Sequence, residues 1–487
     1  MRTVELLLWL VSSTWAATWI LWRPSRRIDV GFTSATLLIA AVHLLTEGAR
    51  FHLLPTYLMM VGSLVVTGRR ALSRREQLQP GRLARVAAGT ALASWIGVAG
   101  VLPVFFPVFA YETPTGPYGI GTAEYELKND ERNRDLVIQA WYPIARDVHG
   151  RPAGITSRPD LLAAAYASFT GLPTPLFDHL RLVKTHAIPN APVARARARF
   201  PVVLFSHGPL SANRSQSVFQ MEALASHGFI VIAIDHTGYA STTIFPDGHA
   251  VPPDANAAWP VFVDAKSTAM LQTWTSDVRF MIDRLEALNE AGPSGVLTGR
   301  MDLSRIGYVG ASFGGSVVVQ ALLDEPRIKA GVAQDGKPYF SDRTLTELRR
   351  PLMYMQSAAP YIASTDAQLA RWGLTAAQFK IAEQDHYARQ MRLFSSANGP
   401  IYNVFIRRTN HVTFSDLYLI IGFPDPELMN IRRAHRIIND YTVAFFERYL
   451  NGEPNLLVDG HTPGPYQEVT VASRNVAKAD QLAENGR

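Results

Sequence analysis

A serine flanked by glycines, Ser312 in the segment GYVGASFGGS (307–316), has the residue pattern of a catalytic nucleophile. The pattern Gly-x-Ser-x-Gly places the serine on a sharp turn between a strand and a helix. Gly310 and Gly314 are needed there because larger side chains would collide with the neighbouring strand and helix. The apolar run RIGYV precedes the turn and the helical pattern FGGSVVVQALLDE follows it. We therefore predict that Ser312 is a nucleophile rather than a small residue in an inert turn.

A serine hydroxyl needs a general base, and four histidines follow Ser312 in the chain. His411 comes directly after the apolar run NVFIRR, at the strand-end edge where the active sites of open α/β sheets gather. We interpret the other three as solvated surface residues: His386, His435 and His461. We predict that His411 is the general base; the alternative is a loop histidine without a role.

The acid that orients such a histidine falls between the serine and the histidine in the chain order of α/β-hydrolases. Asp335, in GVAQDGKPY, directly follows the apolar run after the nucleophile helix, and Asp366 follows the next run. A short connection to the strand end fixes a carboxylate more firmly, so we favour Asp335 over Asp366. There is no HExxH motif and no phosphate-binding glycine loop, so we expect neither a metal nor a cofactor.

Buried strands and helices alternate around these residues. Apolar, β-branched runs predict strands at Pro201–Ser206, Phe229–Ile234, Ile306–Val309, Ala330–Ala333, Leu352–Gln356 and Asn403–Ile406. The clearest helix between them carries an apolar stripe from Leu271 to Leu288. The sequence thus predicts an α/β domain over residues 111–473, a mainly parallel sheet with flanking helices, followed by a flexible polar tail at 474–487.

Four apolar stretches precede this domain: Val4–Trp22, Val30–Thr46, Leu53–Thr67 and Val86–Ala110. Each is close to the roughly 20 residues that a helix needs to cross a bilayer. A cleavable signal peptide is the alternative for the first stretch, but three more apolar stretches follow it. We predict a transmembrane module of about four helices at residues 1–110.

Arginines in this module predict its orientation. The segments 23–27 and 68–85 contain three and six arginines, whereas 47–52 contains one. The positive-inside rule places the two arginine-rich loops in the cytoplasm, which puts everything from Tyr111 onward on the extracytoplasmic side of a cell membrane.

Charge and cysteine content exclude several classes of function. Residues through Arg85 include 11 basic and four acidic side chains, a charge of +7, so the formal +6 of the whole chain leaves −1 for the rest. The domain after the spans therefore lacks the basic character of a nucleic-acid-binding protein. The chain has no cysteine, which excludes disulfides, thiolate metal sites and a cysteine nucleophile.

Seven segments together resemble the plasma-type platelet-activating-factor acetylhydrolase family and its bacterial relatives. They are PTGPYGIGT (114–122), QAWYP (139–143), FPVVLFSHG (200–208), LASHGFIVIAIDH (224–236), IGYVGASFGGSVV (306–318), GVAQDG (331–336) and TNHVTFSD (409–416). The resemblance covers roughly residues 114–450 and not the apolar front. It implies an α/β-hydrolase fold and a metal-independent serine lipase or esterase with Ser312 as nucleophile, Asp335 as acid and His411 as base.

Two residues depart from the family pattern. Ala311 stands where the family has histidine, a change that we expect to alter packing under the turn. Pro209 stands where the family draws one N–H of the oxyanion hole, and proline has none. Phe313 supplies the other N–H in this family; either Leu210 supplies the second one here or the hole has a single donor, which would cost about 3 kcal/mol of transition-state stabilisation.

The sequence says less about the substrate. Residues 161–177 are too apolar for an open loop and form either a lid or membrane-facing patch, or an ordinary packed helix. A membrane location and the resemblance both favour lipid esters, including phospholipids with short or oxidised acyl chains. The alternatives are a peptidase or dienelactone-type hydrolase of the same fold, and a membrane sensor or transport module with a degenerate, ligand-binding hydrolase domain.

Overall fold

The computed structural model describes residues 1–22, 24–72, 82–209, 212–254, 264–291, 295–338, 346–359, 366–371, 375–422, 425–459 and 464–476. The chain forms two compact units. The first contains Met1–Ala110 together with two later segments, Tyr166–Val183 and Leu419–Pro424. The second contains Tyr111–Ala165, Lys184–Tyr418 and Asp425–Arg487.

The first unit is built on four N-terminal helices, one for each apolar stretch of the sequence. They are α1 (Thr3–Leu21), α2 (Arg26–Thr46), α3 (Leu54–Leu72) and α4 (Arg82–Phe105). Among the described residues, three helical segments are long and apolar enough to cross a membrane: Arg26–Thr46, Phe51–Leu72 and Val86–Phe105. Membrane-competent helices near the N-terminus are therefore present, while the number four stays a prediction.

Buried charges join the ends of these helices. The Arg50 guanidinium lies 2.9 Å from Glu5 and also donates to the carbonyl groups of Phe106 and Pro103. Glu5 accepts from Arg2 as well, so two guanidinium groups neutralise its carboxylate. Only charges that are paired and hydrogen-bonded are tolerated at such depth.

The two later segments of the first unit contact its N-terminal part. Phe177 lies 5.9 Å from the ring of Phe106, and His52 Nε2 lies 2.8 Å from the carbonyl oxygen of Leu176. The backbone N–H of Gly422 donates to the carbonyl of Phe105. The sequence left a lid and a packed helix open for residues 161–177; of these, residues 166–177 belong to this unit and include the buried side chain of Phe177.

The second unit is built on a mixed sheet. Its strands are β1 (Gly119–Leu127), β2 (Leu136–Ile144), β3 (Ile188–Pro189), β4 (Phe200–Ser206), β5 (Ile230–Asp235), β6 (Thr243–Ile244), β7 (Ala250–Val251), β8 (Met301–Ala311), β9 (Ile328–Gln334), β10 (Leu352–Ala359), β11 (Ile401–Asn410) and β12 (Val469–Arg474). In the part of the chain that the structure describes, ten strands form one sheet in the order β12-β11-β10-β9-β8-β4-β5-β2-β1-β3, and β6 pairs with β7 separately.

The centre of the sheet is parallel, as predicted. Strands β5, β4, β8, β9, β10 and β11 run in the same direction, and β2 and β12 are antiparallel to their inner neighbours. All six strands predicted from the sequence are confirmed. Strand β4 lies between β5 and β8, so the order along the chain reverses there, and open α/β sheets bind ligands at such a point.

Helices alternate with these strands along the chain. They are α5 (Pro159–Thr170), α6 (Val218–Ser226), α7 (Asp264–Ala291), α8 (Phe313–Asp324), α9 (Asp366–Arg371), α10 (Ala376–Ser396), α11 (Leu417–Ile420), α12 (Ile431–Phe446) and α13 (Leu456–Asp459). The stripe predicted from Leu271 to Leu288 lies on α7 and is buried in the core of the unit. Strands and helices together fix the carboxyl edge of the central strands.

Candidate active site

The predicted site residues follow the carboxyl ends of neighbouring parallel strands. Ser312 follows β8, Asp335 follows β9 and His411 follows β11. The register pairs Ala311 with Gln334, and the Ser312 N–H donates to the Gln334 carbonyl at 2.8 Å. The serine and the aspartate therefore lie side by side at one edge of the sheet.

Ser312 has the backbone of a nucleophile on a strained turn. Its φ is 58° and its ψ is −126°, a conformation that residues other than glycine rarely adopt. It stands directly before α8, so the helix N-terminus and its partial positive charge point toward the reaction site. Ser312 is half-buried, unlike its neighbours Ala311 and Phe313, which are buried.

Close approaches of backbone atoms require glycine at both positions of the motif. A Cβ on Gly314 would lie 2.1 Å from the carbonyl oxygen of Ser206, and one on Gly310 would lie 2.4 Å from the backbone of Gly314. Neither contact can be relieved by a side-chain rotation because both partners are backbone atoms. Steric exclusion between β4, β8 and α8 thus explains the sequence motif.

Asp335 is buried, and a residue on the neighbouring strand β10 holds its carboxylate by hydrogen bonds. It is 2% exposed, and its carboxylate accepts from Ser357 twice, from the N–H at 2.9 Å and from Oγ at 2.5 Å. Its φ of 48° lies in the left-handed region, which residues other than glycine rarely adopt. The competing candidate Asp366 begins α9 with an exposed side chain.

His411 faces that carboxylate. Its Nδ1 lies 3.5 Å from Asp335 Oδ2, and its ring is 19% exposed. The contact is longer than a normal hydrogen bond, and such contacts tighten when a substrate binds. With Nδ1 toward the acid, Nε2 is the nitrogen that can take a proton from a nucleophile.

The oxyanion positions are described in part. Phe313 is the first residue of α8, so its N–H falls outside the helix's own hydrogen-bond ladder. Leu210 lies outside the described residues. The preceding loop is fixed by His207, which is buried; its Nδ1 donates to the Gly208 carbonyl at 2.6 Å, and its Nε2 accepts from the His236 N–H at 3.2 Å.

Gln216, which sequence reasoning missed, contacts the same loop. Its Oε1 accepts from the Gly208 N–H at 2.7 Å. A Cβ on Gly208 would lie only 3.1 Å from the Cβ of Ser312, so this glycine approaches the nucleophile closely. No motif pointed to Gln216, because the contact joins residues on opposite sides of an irregular loop.

A second Ser-His-Asp arrangement lies beneath the site. Ser206 Oγ is 2.9 Å from His236 Nε2, and His236 Nδ1 is 3.0 Å from Asp277 Oδ2. All three side chains are fully buried, so no substrate can reach this serine. Burial lowers the pKa of His236 to about 3 against the opposing effect of Asp277, so the ring is neutral. His236 also stacks on Trp274, so it packs in the core of the unit.

Two of the rejected histidines are not on the surface. His386 on α10 is 4% exposed, and burial lowers its pKa to about 4; the charge on Asp335 raises that pKa and the charge on His411 lowers it. His435 on α12 is 5% exposed and stacks on Phe219 at 3.6 Å. The interpretation of His386 and His435 as surface residues was wrong. Each lies on the inward face of its helix, and the polar residues beside it in the sequence do not reveal that face. His461 lies outside the described residues.

A buried acid lies shortly after His411. Asp416 is 1% exposed and accepts from the Tyr111 hydroxyl at 2.8 Å and from the Val218 N–H at 3.0 Å. Burial raises the pKa of Asp416 to about 8, and these hydrogen bonds only partly oppose that effect. A neutral carboxyl group therefore joins Tyr111 and the start of α6 to the segment after His411.

One protein-family model matches the part of the chain that contains the site. The family model described as platelet-activating factor acetylhydrolase, isoform II, matches residues 109–282 and 287–451, well over half of the chain. The chain belongs to this family. The match includes the segments that carry Ser312, Asp335 and His411.

Curated relatives carry the same name. Platelet-activating factor acetylhydrolase of Cavia porcellus is 24% identical over 386 residues, which cover 73% of this chain and 83% of the relative. The enzyme of Canis lupus familiaris is 25% identical over 266 residues, 50% of this chain and 59% of the relative. A probable 1-alkyl-2-acetylglycerophosphocholine esterase of Arthroderma benhamiae is 29% identical over 33% of this chain and 38% of its own length.

A solved structure supports the fold and the reaction class. A ferulic acid esterase from Streptomyces cinnamoneus matches with a TM-score of 0.59 and 25% identity, over 75% of this chain and 99% of that chain. Its name and those of the family members describe the cleavage of carboxylic esters. This member of the family is accordingly a hydrolase of carboxylic ester bonds.

Proposed function

We propose that this chain is a membrane-anchored serine esterase or lipase of the α/β-hydrolase type that cleaves lipid esters. Its substrates are phospholipids or related esters with short or oxidised acyl chains. The observation that carries the proposal is the approach of His411 to Asp335 at 3.5 Å, beside the strained Ser312. The names of the relatives, which mention an acetylhydrolase and an alkylacetylglycerophosphocholine esterase, support the substrate class.

The proposed reaction has two halves. His411 Nε2 takes the proton of Ser312 while Oγ attacks the ester carbonyl, and the carbonyl electron pair moves to its oxygen. The N–H of Phe313 stabilises that oxyanion, and Leu210 is the backbone candidate that the sequence offers for a second donor. The intermediate collapses and expels the alcohol, which takes the proton from His411, and an acyl-enzyme remains. Water, deprotonated by His411, then attacks the acyl group. The second intermediate collapses to the free acid, and the proton returns from His411 to Ser312 Oγ as that bond breaks.

Asp335 acts through the histidine in this mechanism. Its carboxylate selects the tautomer of His411 with the proton on Nδ1 and stabilises the imidazolium that forms during attack. The two hydrogen bonds from Ser357 keep the carboxylate oriented.

Hydrolysis of p-nitrophenyl acetate and of a short-chain phosphatidylcholine by the full chain in detergent tests the proposal. Ser312→Ala is expected to abolish both activities, with an unchanged melting temperature. Equal rates for wild type and Ser312→Ala would refute it. A p-nitroanilide substrate tests the peptidase alternative, for which amide cleavage would match ester cleavage.

We further propose that the hydrolase domain lies on the extracytoplasmic side of the cell membrane. The arginine-rich loops at 23–27 and 68–85 support this orientation, and the large apolar side chains exposed on the N-terminal helices, including Leu38 and Leu45, support a lipid environment. Because the chain has no cysteine, single substitutions report on location without background. Asp247→Cys should react with a membrane-impermeant maleimide in intact cells and Leu72→Cys only after lysis; the reverse pattern would invert the orientation.

A further inference from the structure

Position 209, where the resemblance to the family places a backbone donor to the oxyanion, is a proline in this chain. Pro209 has no N–H, and the N–H of the preceding Gly208 already donates to Gln216 Oε1 at 2.7 Å. A serine hydrolase with one backbone donor fewer loses much of its transition-state stabilisation. Gln216, which accepts the hydrogen bond from Gly208, therefore contacts the residue next to Pro209.

The side chain of Gln216 lies in the surroundings of the nucleophile. It contacts Gly208, and a Cβ built on Gly208 would lie 3.4 Å from Ser312 Oγ. Gln216 itself is partly exposed, whereas its neighbours Ser215 and Ser217 are buried. The amide group is therefore placed in the open part of the site and not in the core.

The hydrogen bond with Gly208 fixes which way the amide points. A backbone N–H can only donate, so Oε1 must face Gly208 and Nε2 must occupy the other side of the amide plane. In the described part of the chain, Gln216 Nε2 has no hydrogen-bond partner, and it is not enclosed. Its two N–H groups are thus available to a group that enters the site.

The backbone of Gln216 is held on both sides. Its N–H donates to the Asn213 carbonyl at 2.9 Å, and its carbonyl accepts from the Asp416 N–H at 2.8 Å. The next residue, Ser217, donates through Oγ to the Phe414 carbonyl at 2.8 Å. A donor on such a fixed backbone costs little reorganisation when charge develops in front of it.

We propose that Gln216 is a catalytic residue whose Nε2–H donates to the oxyanion. The inference rests on the proposed ester hydrolysis at Ser312. As Oγ bonds to the carbonyl carbon and its proton moves to His411, the carbonyl oxygen gains the electron pair, and the Gln216 amide hydrogen-bonds to it without forming or breaking a covalent bond. The side-chain amide thereby replaces the N–H that Pro209 cannot supply.

The variant Gln216→Glu separates this role from a positioning role. It keeps an oxygen that accepts from the Gly208 N–H, but it replaces the donor by a second oxygen with negative charge. We expect kcat to fall roughly 10²- to 10³-fold, the range for removal of an oxyanion donor, with KM changed only a few-fold. Gln216→Ala, which removes both functions without adding charge, should lose no more activity than Gln216→Glu. If Gln216→Glu keeps the wild-type rate, the residue only positions Gly208 and the proposal is overturned.

A transition-state analogue provides a readout that loss of fold would not imitate. A trifluoromethyl ketone forms a tetrahedral adduct with the nucleophilic serine, so its inhibition constant should rise by the same factor as kcat falls. Inhibition by the product alcohol, a neutral ground-state ligand, should stay unchanged, as should the melting temperature. A fall in kcat without a matching rise in the ketone's inhibition constant would overturn the proposal.

Two controls complete the design. Gln378→Glu makes the same chemical exchange at the exposed N-terminus of α10, where the side chain caps a helix, and should keep full activity. Ser312→Ala tests the underlying function: loss of activity in Ser312→Ala with unaffected Gln216 variants rejects only the role of Gln216. Equal rates for wild type and Ser312→Ala would reject both, since no oxyanion would then form at Ser312.

Discussion

Replacement of Asp416 by asparagine should stabilise the protein in alkaline solution. The fold holds this carboxyl group neutral: burial raises its pKa from 3.8 to about 8, Glu222 adds to the rise by repulsion, and hydrogen bonds from Tyr111 and Val218 oppose it. In the unfolded chain the group ionises above pH 4. The stability that the neutral acid contributes is therefore complete below about pH 4 and is lost as the pH rises to about 8.

The size of the effect follows from the two pKa values. At 1.36 kcal/mol for each pKa unit, the difference between 3.8 and about 8 amounts to roughly 5 kcal/mol by pH 8. Asparagine is neutral at every pH, and its amide oxygen can still accept from Tyr111 and Val218. We expect Asp416→Asn to melt about 10–20 °C above wild type at pH 8.5, since roughly 2–4 °C corresponds to 1 kcal/mol in larger domains.

Melting temperatures of the full chain in detergent between pH 4.5 and 9 provide the assay. The difference between Asp416→Asn and wild type should shrink toward zero at pH 4.5. Asp277→Asn is the matched control: although burial alone would raise the pKa of Asp277, His236 and Arg134 hold it below its usual value, so this variant should destabilise the fold at neutral pH. Parallel pH curves for wild type and Asp416→Asn would refute the reasoning.

Three further substitutions test the site. Asp335→Asn should lower kcat by roughly 10⁴-fold with little change in KM, because an amide favours the wrong tautomer of His411; steady-state kinetics would contradict this if kcat stayed within tenfold of wild type. Gly314→Ala should prevent folding or inactivate the enzyme, because its Cβ would lie 2.1 Å from the Ser206 carbonyl oxygen; a soluble variant with normal circular dichroism and activity would disprove that contact. Ser357→Ala removes a hydrogen bond of 2.5 Å to the Asp335 carboxylate and should lower kcat roughly 10- to 100-fold, whereas an effect on KM alone would argue against the orienting role.

The sequence predicted the strands and turn of the site because these depend on local patterns. A β-branched run that ends at Val309 and a glycine on each side of Ser312 leave few conformations, and the structure has the expected strand and helix there. The neighbouring positions of Ser312 and Asp335 then follow from parallel pairing of consecutive strands.

Other features depend on contacts between distant segments. His386 was taken for a surface residue because its neighbours are polar, yet one face of α10 turns it inward. Gln216 contacts Gly208, eight positions earlier in the chain, and no periodicity encodes this contact. Helix or loop propensity cannot reveal such positions, because the burial and contacts of these side chains depend on residues that are distant in the sequence.

The composition of the first compact unit bears on how the enzyme can be handled. Segments 166–183 and 419–424 belong to it although both are encoded far downstream of residue 110. A version shortened to residues 111–487 would keep these two segments but lose the helices that bury Phe177 and accept the N–H of Gly422. Solubilisation for biochemistry should therefore retain the entire polypeptide, in a detergent micelle or a lipid nanodisc, instead of trimming its hydrophobic beginning.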